Sequence, residues 1–172
     1  IGPRTLITFG VAAVGLGNII LAWALVPRGS YVSFVLPLVL IGSGFVIATT
    51  VRTAIIFASV PRGLPATAAA LNEASVALGT RAGLVAGTLL ITTLALGNLA
   101  AAMAGQPAST IDAAVAAMRE IMVAIGTPGY GTLVEGVAQP ERVEFAMAYT
   151  AAVRTFLAGT GIVTLGAAII TW

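Results

Sequence analysis

The chain has 172 residues, of which 59% are hydrophobic and only 8% charged, and its mean hydropathy is +1.06. Ordinary soluble domains carry about 25% charged residues, so this chain cannot coat a water-soluble surface and the lipid bilayer has to be the solvent for most of it. All eight basic residues are arginine, histidine and cysteine are absent, and the net charge is +2. That composition excludes disulfides, thiolate or imidazole metal sites and a histidine general base. With no basic cluster it also argues against a nucleic-acid partner.

The apolar runs are long and continuous, which predicts spanning helices rather than the short alternating segments of a β-barrel. A bilayer core of about 30 Å needs roughly 20 helical residues, and four such spans are expected. The first runs over about Leu6–Val26, after Gly2-Pro3-Arg4, and is closed by the breaker run Pro27-Arg28-Gly29-Ser30. The second covers about Tyr31–Phe57, with Pro37 expected to kink it, and Pro61-Arg62-Gly63-Leu64-Pro65 turns the chain again. The third covers about Ala66–Leu96, longer than the bilayer requires. The fourth covers about Glu141–Trp172, with Pro140 suited to its first turn and Glu141 and Glu144 to its N-terminal dipole end.

Between the third and fourth spans lies a long connector, Gly97–Pro140. Ser109-Thr-Ile-Asp112 is similar to a capping box with Asp in place of Glu. Ile111, Val115, Met118, Met122 and Ile125 then recur at alternating steps of four and three, one apolar stripe on a helix. An amphipathic helix over about 110–125 is predicted, lying on the membrane surface or on the mouth of the bundle. Gly126 is expected as its C′ residue, and Pro128-Gly129 as its end.

Orientation follows from arginine. Four crossings put Arg4, Arg52 and Arg62 on one side. The connector and its flank carry Asp112, Glu120, Glu135, Glu141 and Glu144 against Arg119 and Arg142, five acids to two bases, net −3. The positive-inside rule puts the arginine side in the cytoplasm and the connector outside, extracellular or periplasmic; Arg28 opposes this by one charge. A multi-pass protein of the cell membrane is expected. Trp23, Tyr31 and Trp172 fall near span ends, where aromatic belts form.

The chemistry-bearing residues concentrate on the third span. Glu73 lies in Pro65-Ala-Thr-Ala-Ala-Ala-Leu-Asn-Glu-Ala-Ser-Val-Ala-Leu-Gly-Thr-Arg-Ala-Gly83, where hydrocarbon cannot solvate a carboxylate; such acids mark proton relays, ion sites or cationic ligands. Three readings are open: Glu73 titrates in proton coupling, pairs with an arginine on another helix, or lies near enough to the interface to meet water. Ser75, Gly79, Gly83 and Gly87 recur every fourth residue, a small-residue face that admits a neighbouring helix and on which Asn72 also falls. Arg81 falls near mid-span, about 12 Å along the axis and roughly 80° round from Glu73, so the two cannot pair on one straight helix. Arg81, Asn72 and Asn18 of the first span are candidate substrate-cavity or gating residues. Arg52 is expected to snorkel. The pairs Gly15/Gly17, Gly42/Gly44 and Gly159/Gly161 read as packing, since no strand precedes them and no lysine follows. No nucleophile–base pair or phosphate loop is visible, so no enzymatic activity is expected.

The third span, with Glu73, Leu78, Gly79 and Gly83, resembles helix thirteen of the fourteen-helix drug:proton antiporters of the major facilitator superfamily (the QacA-like group). That family shows a small-residue start, an acidic residue and a Leu-Gly-x-x-x-Gly run, and a long extracellular connector between its last two helices. The resemblance implies an all-α polytopic membrane protein whose four spans are helices eleven to fourteen of that fold. Because the chain opens at Ile1 and stops at Trp172 within an apolar run, it is expected to be a fragment, with the remaining transporter helices preceding Ile1. Implied further are efflux of a lipophilic small molecule by alternating access, the proton as coupling ion with no other cofactor, membrane lipids as surroundings, and a proton-binding role for Glu73. Arg81 departs from the family pattern and disfavours cationic cargo, which brings in lipids and anionic or zwitterionic compounds. Two alternatives stand beside efflux: a lipid transporter of the same fold, and a non-transporting structural subunit held by Glu73–arginine pairs. Four helices alone cannot form an alternating-access pathway, which needs two opposed bundles.

Overall fold

A computed structural model of the chain describes residues 2–26, 30–61, 63–125, 130–137 and 139–171. The elements in chain order are α1 (Pro3–Ala24), α2 (Val32–Ser59), α3 (Pro65–Ala102), α4 (Ala108–Ala124), α5 (Tyr130–Gly136) and α6 (Gln139–Thr171); no strand occurs among the described residues. α1, α2, α3 and α6 are each long and apolar enough to cross a membrane, and no more than 22% of the most apolar stretch of any one of them is buried. Their apolar side chains therefore point mostly outward, as they should when hydrocarbon replaces water as the solvent. Trp23 and Tyr31, 79% and 90% exposed, stand at the end of α1 and the start of α2, positions that suit an interfacial belt.

The chain divides into two compact units, to both of which α3 and α6 contribute. The first holds α1, α2, α3 as far as Ala86, and α6 from Leu157 onward. Glycines set its helix contacts. A Cβ built on Gly44 of α2 would lie 2.5 Å from the Gly10 carbonyl oxygen of α1, and one on Gly161 of α6 would lie 2.7 Å from that of Gly15. Only a residue without a side chain permits backbones to approach so closely, the same device that small residues provide between membrane helices generally. Gly17 faces α2 like Gly10, seven residues on, where a Cβ would lie 3.0 Å from the Pro37 carbonyl oxygen and 2.7 Å from Ile41. Pro37 is itself buried, and α2 runs through it as a single element instead of breaking there.

The second unit spans Gly87–Phe156. Its core joins Ala95 and Leu99 of α3, Met103 just beyond its end, Ala114 and Met118 of α4, and Phe145, Ala148 and Ala152 of α6. The predicted apolar stripe on the connector is real: Met118 is buried, Ile111, Val115 and Met122 pack against the core, and Ile125 ends the element half-exposed. α4 therefore lies on the ends of α3 and α6.

Three boundaries differ from expectation for physical reasons. α3 continues past Gly97 to Ala102 because Leu99 is fully buried and Met103 nearly so, and because Asn98 Nδ2 donates to the Ala148 carbonyl of α6 at 3.4 Å; tertiary burial outweighs the glycine's weak helix propensity. The capping box is not formed. Pro107 occupies the N-cap with no side-chain cap bond, its carbonyl accepting from the Thr110 and Ile111 amides, and Ser109 falls inside the first turn. A further short helix, α5, occupies connector sequence from which no element is predicted. Gly126 and Pro128-Gly129, Arg28, Arg62 and Trp172 lie outside the described residues.

Candidate functional site

The first unit positions the residues singled out on the third span. Pro65 opens α3, where a missing amide costs no helix bond. The helix is docked at its start by Ala68, which is fully buried, and by Thr53 of α2, whose Oγ1 donates to Asn72 Oδ1 at 3.5 Å. Beyond that anchor the helix stands uncovered: every residue from Glu73 to Ala86 is exposed.

Glu73 lies at the beginning of this uncovered stretch. It forms no hydrogen bond or ion pair with any described residue, so no described arginine locks it. Arg81, eight residues on, is likewise exposed and unpaired among the described residues. The two are not brought together, in keeping with their offset around one helix. Arg52, on the preceding span, is half-buried, and its Nε is shut away from solvent with no hydrogen-bond partner among the described residues. Three ionisable side chains on apolar helices thus find no counter-group here. Asn18 is half-buried on α1 and makes no side-chain hydrogen bond to another described residue.

The small-residue face behaves unevenly. A Cβ at Gly79 or Gly83 would meet nothing within 4 Å, whereas at Gly87 it would meet the Phe156 ring of α6 at 3.2 Å. Ser75 returns its hydroxyl to the Leu71 carbonyl at 2.7 Å. Of the four positions only Gly87 receives a neighbouring helix among the described residues. The tight approaches are made instead by Gly10, Gly15, Gly44 and Gly161. Of these, Gly15, Gly44 and Gly161 belong to the glycine pairs read as packing in the sequence, and Gly10 belongs to none.

Sequence reasoning also passes over two polar contacts of the second unit. One is the Asn98–Ala148 bond. The other is Arg142, whose Nε and Nη2 donate to the carbonyls of Val137 and Glu135, both at 2.6 Å. No side-chain pattern marks it, because both acceptors are backbone carbonyls. No group of three or more acidic residues close enough to hold a metal ion occurs among the described residues.

Comparison with known proteins adds no assignment: no family model matches the chain, and neither a curated protein nor a solved structure matches it.

Proposed function

We propose that this chain is part of a proton-coupled efflux transporter of the major facilitator type, in which Glu73 exchanges the coupling proton and α3 is a moving element. One observation carries the reading. α3 presents, over the uncovered stretch Glu73–Ala86, an acid, an arginine and two glycines with open space beside them, on a helix otherwise apolar enough to span a membrane. Hydrocarbon on all sides of Glu73 and Arg81 would cost several kcal/mol for the pair. A cavity between helices, partly filled with water and closed by further helices against Gly79 and Gly83, removes that cost and supplies the changing environment a coupling acid needs. Those further helices would be the remaining part of the transporter, with lipids around the outside and the connector on the external face.

In such a cavity Glu73 would lie about 12 Å toward the cytoplasm from Arg81. Arg81 favours anionic, zwitterionic or lipid-like lipophiles over cations, so a lipid transporter of the same fold is the second reading. Both use the same acid. The test is export of a fluorescent lipophilic dye, and separately of a fluorescent phospholipid, from vesicles carrying the whole transporter and an imposed pH gradient. Glu73→Gln should reach the membrane at normal levels and lose gradient-driven export, while Glu73→Asp keeps part of it. Normal gradient-driven export by Glu73→Gln removes Glu73 from proton coupling.

A further inference from the structure

The connector carries a site of its own, independent of α3 and of the transport reading. Within the second unit a cavity of about 290 Å³ opens between α4, α5 and α6. Its walls are apolar: Met118, Met122 and Ile121 from α4, Val134 from α5, and Phe145 from α6. Met118 and Phe145 are buried and belong to the core, so the floor is fixed, while the unbranched Met122 gives the wall latitude in shape. The α6 side is one continuous strip, because Arg142, Phe145, Ala146, Tyr149 and Thr150 follow the i, i+3, i+4, i+7, i+8 spacing of a single helix face.

That strip is polar at its two ends and apolar between them. Arg142 stands at the connector end, and Tyr149 lies about 10 Å further along the helix. Arg142 uses two of its donors on the Val137 and Glu135 carbonyls. A guanidinium has five, so three remain, and no described carboxylate pairs with it. The arrangement combines a fixed cationic fork, an apolar trough behind it and a volume near the lower bound of about 300 Å³ for ligand pockets. We propose that this trough binds a single-chain anionic amphiphile, its carboxylate or phosphate head on Arg142 and its chain along Phe145 toward Tyr149. The volume suits one hydrocarbon chain and not two, and the free donors suit an acceptor-rich head bound bidentately.

The test is photolabelling in nanodiscs with a medium-chain fatty acid carrying a diazirine on its chain, with the labelled residues mapped by mass spectrometry. The proposal expects label concentrated on Met118, Met122 and Phe145. The unlabelled acid should compete about tenfold better than the alcohol of equal length, since a hydrogen bond to a charged group is worth at least one such factor. Ala146→Trp, which fills the trough and leaves Arg142 in place, should abolish the labelling. Met122→Trp serves the same purpose from the opposite wall if the first variant folds poorly. Label spread evenly over the lipid-facing residues of the spans, equal competition by acid and alcohol, or unchanged labelling in a folded trough-filling variant overturns the proposal. Labelling of the trough by a two-chain diazirine phosphatidylglycerol but not by the fatty acid also overturns it.

Discussion

Arg142 organises a part of the connector that local preference would leave unstructured. α5 has only seven residues, two of them glycine, far too short to hold together alone. The Arg142 side chain reaches back to the carbonyls at its C-terminal end and ties them to α6. Charge-assisted bonds of this kind are worth about 1.5–3 kcal/mol each when buried; Arg142 is half-exposed, so about 2 kcal/mol for the pair is a fair expectation. Arg142→Ala should therefore leave α6 and the four spans intact and speed amide exchange across α5 by about thirtyfold, while leaving α4 protected. Unchanged exchange in α5 would show that the guanidinium does not hold it. Nothing in the sequence around Arg142 gives this role away, because the acceptors are backbone carbonyls and leave no trace in side-chain identity. Glu73 and Arg81 are the opposite case. A charge in an apolar run is visible at once, and what stays hidden is the group that faces it.

At the scale of the helix, glycine spacing and glycine environment separate. The regular four-residue series on α3 marks a face, yet Gly79 and Gly83 have open space beside them, while Gly44 and Gly161 are pressed against neighbouring backbones. Spacing reports that a face is small; it does not say which helix uses it. Gly44→Ala would place a methyl group 2.5 Å from the Gly10 carbonyl oxygen and 2.9 Å from the Val14 amide nitrogen. Backbone cannot yield as a side chain can, so a loss of about 1–3 kcal/mol is expected in thermal or denaturant unfolding. Gly79→Ala meets nothing and should be neutral or stabilising by up to about 1 kcal/mol, the helix-propensity gain. If the two variants are equally stable, the α1–α2 contact is not set by glycine. The bulkier Gly79→Leu separates packing from function: the chain should fold normally, and export should fail if further helices seat on that face. The spans were legible because length and apolarity alone define them. The extension of α3 beyond Gly97 was not, because it depends on Leu99 finding a core supplied by residues fifteen or more positions away.

For the molecule as a whole, the class follows from composition: with 8% charged residues, four long helices bury little of themselves and need lipid around them. The connector's amphipathic helix was equally legible, from the period of Ile111, Val115, Met118 and Met122. The setting of Glu73 was not, because a helix sequence records the polar group and not its partner. The proposed transport role rests on that acid, and proton release on binding of a lipophile measures it most directly. On the proposed transport reading, with the full-length protein in lightly buffered detergent solution and a pH-indicator dye, adding a saturating lipophilic compound should release protons from the wild type and none from Glu73→Gln, although both bind. Equal proton release from the two proteins would contradict the assignment of the coupling proton to Glu73.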